Sequence, residues 1–554
     1  MLSTNRNAYR LEKNSVVTLI KQDRLKEAGE GLAPLVNAHP DDQELHYFAG
    51  MIYEAQHRYA DAVRSFEEAL ALNINYGDAW FEMGVIQMIL CRFNLANGYL
   101  KKAKAQRCRV AGVRSFLKKI EQVAHPEDVT LSACLIVKNE EKHLSTCLKS
   151  LEAICDEIVV VDTGSEDDTV PIAESFGAKI FHYAWRKDFS AARNFATEQA
   201  SGDWIIQLDA DEELFPEDQH KVREVIHQGK CDGAYLALHN RVSNSFGECE
   251  PSVHYLVRLF RNRPDFYYEN AIHEILKTTG KMIPVDINIL HHGYNLDNAC
   301  LEKKRERNAD ILYRRLKDDP ESVTTLFYLC MMHLGNHEYE LAEPFASQAL
   351  AKMDADNPNK QHLYLMTLNN LAMIANQKND LDAVKRHCHA AIEINDNYLD
   401  PYFVLGMAYF KASELNEAEK VFRNYVTKNE ELAEQPVFNL FGSCAGTYLF
   451  RVYHFLGRIY RRGGDNGAAK EMIRKSLELN PKFWIGLLDL AYIYQDEEQW
   501  LQAVDSFDKA IRLARANPAV NEKNKELWFD FMNAIKSYTA LLHQLKEKQL
   551  APVA

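Results

Sequence analysis

A 34-residue recurrence constrains this chain more than any other feature. His46-x3-Gly50-x2-Tyr53 is followed by Ala62, Phe66 and Ala69. Trp80-x3-Gly84 is followed by Ala96, Leu100 and Ala103, each 34 residues beyond its counterpart. The same step backwards reaches Ala28 and Leu32, with Pro40 closing that unit. An aromatic, a small residue, then alanine and an aromatic or leucine describe two helices in close contact. Such a hairpin cannot bury its apolar face alone, so neighbours must stack.

The pattern returns after residue 300. Tyr402-x3-Gly406-x2-Tyr409 leads to Ala418 and Phe422. Gly457-x2-Tyr460 leads to Ala469 and Pro481, and Ala491-x2-Tyr494 to Ala503, Phe507 and Ala510. Gly406 and Gly457 lie 51 apart, which places 17 extra residues around Glu430–Gly446 as a loop or extra helix. Weaker units surround Ala342 and Ala383, and Asn524–Lys548 reads as a capping helix. This is the tetratricopeptide spacing, expected over 1–125 and 301–554.

Between the arrays the periodicity changes. Leu131–Val137, Glu157–Val161, Ala178–Phe181 and Trp204–Leu208 are short apolar runs. Helical stretches at Glu140–Leu151, Asp168–Phe176 and Ser190–Ala200 separate them. Alternation of this kind predicts a parallel sheet with right-handed crossovers, and ligands then bind at the carboxyl ends of the strands. The polar sets fall at those ends: Lys138-Asn139-Glu140, Asp162-Thr163-Gly164-Ser165, and Asp209-Ala210-Asp211-Glu212-Glu213. Four carboxylates in five residues repel unless a cation sits among them, and a hard divalent ion with oxygen ligands is the usual remedy. A solvated acidic loop or a helix start is the plainer reading.

A chain of 554 residues implies about three units. A net charge of −14 argues against a nucleic-acid partner. The polar start and the lack of any long apolar run predict a cytoplasmic protein with no membrane span. Eleven cysteines without C-x-x-C pairs predict reduced thiols and no zinc site.

The runs C-L-I-V-K-N-E-E (134–141), V-V-V-D-T-G-S (159–165), D-F-S-A-A-R-N (188–194) and L-D-A-D-E-E (208–213) resemble the family 2 glycosyltransferases of the GT-A fold. With flanking repeats, the chain is similar to the sublancin-type S-glycosyltransferases. Arg258-Leu259-Phe260-Arg261, Ile272-His273-Glu274 and His291-His292-Gly293-Tyr294 also look like that branch. No Gln-x-x-Arg-Trp signature of processive synthases is present, so a single transfer is expected.

The resemblance implies a multidomain chain: an α/β, Rossmann-like GT-A domain over 128–300, flanked by all-α repeat arrays. It implies an inverting transferase using Mn2+ or Mg2+ and a nucleotide-sugar donor, with UDP favoured. Asp162 would accept from the base, with Asn139, Glu140 and Ser165 nearby. Arg193, with Asn194 beside it, would face the diphosphate. Asp209 would sit near the ribose or the metal's water. Asp211 would ligate the metal, and His291 would complete that shell or touch the diphosphate; a structural pairing with His292 is the alternative. Glu274 is the expected base, with His273 and Glu269 as rivals, and a merely orienting Glu274 stays open. A peptide or protein acceptor would be held by the repeats, which also offer a surface for homo-oligomers. A lipopolysaccharide-core or other surface-glycan transferase is a second reading. A scaffold with an inactive transferase domain is a third.

Overall fold

The computed structural model describes residues 2–110, 112–122, 128–243, 249–292, 298–354, 361–434, 445–517, 520–521 and 524–547. It divides into two compact units: residues 1–239 with 255–293, and residues 240–254 with 294–554.

The first unit opens with three helical hairpins, Leu2–Lys21 with Leu25–Ala38, Gln43–Ala55 with Tyr59–Leu72, and Gly77–Ile89 with Phe93–Ala105. Ala28, Ala62 and Ala96 are fully buried at equivalent positions. Gly50 is a contact point between helices: a Cβ there would stand 2.4 Å from the Phe66 ring. The turns follow the same period. Asp23, His57 and Cys91 each take positive φ, near 59°, 58° and 51°. Asn379 and Ser413, and then Gly464 and Glu498, repeat that 34-residue step in the second unit. The left-handed residue stops the first helix, and the next N–H bonds back into its last turn, as Arg58 does to Tyr53 O at 2.9 Å.

The sheet follows. Its strands are β1 (Leu131–Val137), β2 (Glu157–Asp162), β3 (Lys179–His182), β4 (Trp204–Gln207), β5 (Glu212–Leu214), β6 (Gly233–Ser243), β7 (Cys249–Arg261) and β10 (Met282–His291). A separate hairpin pairs β8 (Tyr267–Glu269) with β9 (Ile275–Lys277). The sheet order is β3-β2-β1-β4-β7-β6-β10-β5. β3, β2, β1 and β4 are mutually parallel, as their helical connections require. The expectation of a parallel sheet fails beyond β4, where β7 runs antiparallel with Ile206 opposite Leu259. The edge pair β10 and β5 is also antiparallel. The helix after β1 starts at Leu144, later than the expected Glu140, because Lys138–His143 forms a loop.

The first array and the sheet share one hydrophobic core, which runs from Tyr47 and Met83 through Leu148 to Trp204 and Ile289. Polar clamps reinforce it. Arg92 donates to the carbonyls of Ala153 at 2.8 Å and Cys155 at 3.0 Å, where the Leu144–Glu152 helix ends. Arg223 donates to Leu90 O at 3.0 Å. Both arginines also hold Asp156, at 2.7 and 3.0 Å.

The second unit contains the Asn298–Asp318 helix and five hairpins. They are Val323–Gly335 with Tyr339–Ala351, Gln361–Gln377 with Leu381–Ile394, Asp400–Lys411 with Leu415–Glu434, Ala445–Arg462 with Asn466–Leu479, and Trp484–Asp496 with Trp500–Ala516. The Lys525–Glu547 helix packs on the last hairpin through Leu527, Phe531 and Leu541. Ala342, Ala418, Ala469 and Ala503 are fully buried. The expected insertion at Glu430–Gly446 begins as an extension of the Leu415–Glu434 helix; its residues 435–444 lie outside the described residues.

Candidate active site

The carboxyl ends of β1, β2 and β4 bring the polar sets together. The loop after β1 is stitched to the loop after β2. The Asn139 amide Oδ1 accepts from Glu166 N at 2.8 Å, and Asn139 N donates to Ser165 Oγ at 3.0 Å. Asn139 has φ 57°, a conformation that asparagine tolerates better than most residues. Glu140 N donates to Thr169 Oγ1 at 2.7 Å. Asp162 ends β2 nearly buried, and its carboxylate accepts from Ser165 N at 2.9 Å and Gly164 N at 3.2 Å. Burial works to raise the Asp162 pKa. The hydroxyl and N–H of Ser165, with Gly164 N–H and His182, nevertheless hold it below the usual carboxylate range.

At the end of β4 lies a chain of five buried or half-buried charges. Glu274 Oε1 accepts from Arg193 Nε at 2.6 Å, and Arg193 also donates to Asp209 Oδ1 at 2.7 Å. Asp209 Oδ2 accepts from Arg258 at 2.9 Å, and Arg258 closes the chain on Glu212. Burial works against ionisation of Asp209, but the two guanidiniums hold it well below its usual range. Burial, with Asp209 and Asp211 close by, pushes Glu212 up. Asp209 is therefore the carboxylate held ionised, and Glu212 the one that takes a proton more readily.

Three of the expected site residues have protein partners here. A cation does sit among these carboxylates, and it is arginine: Asp209 faces the guanidiniums of both Arg193 and Arg258. Arg193, with its side chain 6% exposed, gives Nε to Glu274 and Nη2 to Asp209. Asn194 is the third. Its amide bonds both ways with the Tyr268 backbone, at 2.9 and 2.7 Å, and ties the Phe189–Gln199 helix to β8.

Asp211 and His291 do meet. β5 pairs with β10 so that His291 stands opposite Glu212, and His291 Nε2 lies 3.4 Å from Asp211 Oδ2. Burial works to lower the His291 imidazole, but Asp211, with Glu212 and Asp209 behind it, raises it above its ordinary value. His292 turns elsewhere: Nε2 is 2.9 Å from Glu213, and its ring stacks on His143. Gly293 and Tyr294 lie outside the described residues. Among the described residues, no three His, Cys, Asp or Glu side chains converge on one point as a ready-made metal cluster.

The loop bearing Glu274 is anchored to the start of the helix bearing Arg193. Ser190 Oγ donates to Asn270 O at 2.5 Å, and Phe189 N to Ala271 O at 2.8 Å. Asn270 and His273 both take positive φ, at 80° and 53°. Glu269 lies outside this arrangement, on β8, 3.5 Å from Lys277.

Sequence reading gave Arg258 no role. Its place follows from the β4–β7 register, in which Leu259 opposite Ile206 sets Arg258 at the end of β4, within reach of Asp209. Arg193 Nη1, Arg258 Nε and Tyr268 Oη are buried without a hydrogen-bond partner among the described residues.

Residues 132–278 match the family model of glycosyl transferase family 2, and residues 43–76 and 450–483 match tetratricopeptide repeat models. A TPR repeat-containing protein of Synechococcus elongatus is 35% identical over 277 residues, 48% of this chain and 66% of that protein. Glycosyltransferase SunS of Bacillus phage SPbeta is 26% identical over 297 residues, 52% of this chain and 64% of that protein. An uncharacterized glycosyltransferase of Rickettsia felis is 40% identical over 107 residues, 19% of this chain and 37% of that protein. The chain thus spans just under two thirds of the first two relatives. The structure of Staphylococcus aureus TarS 1-349 in complex with UDP aligns at 16% identity and a TM-score of 0.26, covering 51% of this chain and 92% of that one. That likeness is too slight to argue from.

Proposed function

We propose that this chain, whose central segment is a family 2 glycosyltransferase domain set beside tetratricopeptide repeats, moves one sugar from a nucleotide-sugar donor to a peptide or protein side chain. A UDP-sugar is the proposed donor, transfer inverts the anomeric centre, and a divalent cation takes part. The observation that carries this reading is the meeting of Asp211 and His291 beside the arginine-braced Asp209, at the carboxyl end of β4.

Two ligands in adjacent positions on an octahedral cation stand ~3 Å apart, given bonds of about 2.1 Å. The 3.4 Å between Asp211 Oδ2 and His291 Nε2 suits such a pair, and Mn2+ or Mg2+ would be held there. When bound, the cation offsets charge growing on the leaving diphosphate. Asp209 has another task, since with Arg258 it fixes the turn that carries Asp211. Asn139, Glu140, Asp162 and Ser165 form the proposed nucleoside edge.

Glu274 is the proposed base. Arg193 holds its Oε1, which leaves Oε2 to take the proton from the acceptor's hydroxyl or thiol. The Asn270–Glu274 loop is fixed by Ser190 and Phe189, so the carboxylate is oriented before the acceptor arrives. The arrays hold the acceptor in this reading. Among the described residues no helix is long and apolar enough to cross a membrane, and eight described cysteines are free thiols. A reducing, cytoplasmic setting is proposed on the second of these facts.

The test is a panel of UDP-, GDP- and dTDP-sugars, with Mn2+, with Mg2+ and with chelator, scored by release of nucleoside diphosphate. Release from one UDP-sugar that stops with chelator is the expected result. Equal release with and without chelator refutes the cation. No release from any donor refutes the transferase reading.

A further inference from the structure

We propose that the Ala445–Arg462 helix in the second unit presents a docking face for acidic peptide segments. This helix carries Arg451, Arg458, Arg461 and Arg462 and no carboxylate, in a chain whose net charge is −14. Three of its guanidiniums lie on aromatic rings of the helices either side. Arg458 and Arg462 stand 5.5 and 4.2 Å from the centroid of Phe410 in the Asp400–Lys411 helix. Arg461 stands 5.6 Å from that of Tyr492 in the Trp484–Asp496 helix. A guanidinium stacked by its flat face keeps its N–H edge for a planar acceptor such as a carboxylate.

The local anions reach Arg458 and Arg461 but not Arg462. Asp489 takes His454 at 2.6 Å and stands 3.6 Å from Arg458 and 4.0 Å from Arg461. Asp496 takes Arg461 at 2.8 Å. Arg462 is exposed and forms no ion pair among the described residues. Lys411, next to Phe410, donates to the Asn376 carbonyl at 3.2 Å. The face therefore keeps an excess of positive charge. Other cations of this unit do pair off, as Lys428 does with Asp396 and Lys470 with Glu497, both at 2.6 Å.

The spacing favours a peptide over a phosphate polymer. Asp489 and Asp496 sit among the arginines and would repel a continuous line of phosphates. A peptide can place carboxylates only where guanidiniums stand. Arg458 and Arg462 are one helical step of four residues apart, a rise of ~6 Å. Carboxylates at alternate positions of an extended chain are spaced ~7 Å, which matches. This docking does not depend on the transfer chemistry, and the two are measured separately.

The test is fluorescence anisotropy on the full chain with a labelled peptide alternating Glu and Ser, against one alternating Lys and Ser. The Glu peptide should bind and weaken with added salt, while the Lys peptide should not bind. Arg458→Glu with Arg462→Glu should weaken binding by ~tenfold or more, a loss in keeping with charge complementarity at an interface. Arg474→Glu, on the neighbouring helix, should leave it unchanged. Circular dichroism checks folding, and Arg458→Gln with Arg462→Gln gives the same reading if the Glu pair unfolds. Binding that survives either pair, or equal binding of the Lys peptide, overturns the proposal. Polyphosphate that binds more tightly than the Glu peptide, through the same arginines, overturns the peptide assignment. Donor hydrolysis should be unchanged in these variants, which separates docking from catalysis.

Discussion

Arg193 and Glu274, 81 residues apart in sequence, meet at 2.6 Å, and the same guanidinium reaches Asp209 at 2.7 Å. One buried cation thus couples the proposed base to the acidic turn after β4. Replacing Arg193 with Lys should keep the charge and lose one of the two bonds. The expected result is a fall of a few degrees in Tm and a large fall in kcat, with donor affinity changed little because the fork faces carboxylates. A tenfold or greater weakening of nucleotide binding by calorimetry, about 1.4 kcal/mol, would instead assign Arg193 to the diphosphate.

Asp211→Ala should abolish donor turnover and leave the fold intact, because Asp211 is half-buried at the edge of the charge chain. His291→Ala should weaken the response to Mn2+ in the same assay. Near-normal turnover by Asp211→Ala in metal-containing buffer contradicts the ligand assignment.

Arg258 is the shared partner of Asp209 and Glu212. Arg258→Met leaves Glu212 without its guanidinium and Asp209 with Arg193 alone, and should cost ~3–5 kcal/mol. Adding Glu212→Gln removes one of those charges and should recover part of the loss. A double-mutant cycle by urea denaturation measures the coupling, and strict additivity would show that the two side chains act independently.

Two glycines should respond in opposite ways to alanine. At Gly406 the new Cβ would meet Phe422 at 2.5 Å inside the helix contact, and overpacking of this kind costs ~1–3 kcal/mol. At Gly98, in the Phe93–Ala105 helix, nothing lies within 4 Å, and Ala should stabilise by ~0.5–1 kcal/mol. Thermal unfolding of the two variants checks both signs.

Acid should remove one identifiable clamp. Burial works to raise Glu157, but Lys179, with Ser132 and Ser201, brings it down to about 2. A depressed carboxylate stabilises the fold above its unfolded pKa and loses that contribution as pH falls through the folded value. Glu157→Gln should therefore destabilise the fold at neutral pH by the worth of a screened pair, ~1 kcal/mol, and lower Tm accordingly. The difference from wild type should shrink as pH falls from about 4.5 towards 2. A constant difference across that range would mean that the charge is not the cause.

The repeat hairpins were legible because their signal is local: a small residue and the large apolar side chain sixteen positions on must face each other whenever two such helices pack. The same holds for β1 to β4, whose apolar runs end on polar loops, so Asn139, Asp162 and Asp209 fall on one edge by chain direction alone. The meeting of Arg193 with Glu274 was not legible, and that of Asp211 with His291 was expected only through the family resemblance. Each depends on register between segments some 80 residues apart. Arg258 shows the reason most clearly. In sequence it is one arginine in an R-L-F-R run, and only the antiparallel register of β7 on β4 carries it to Asp209. The carboxylate cluster declared in sequence that a cation was needed. Which cation served was decided by what the sheet brought near, and at Asp209 that was arginine.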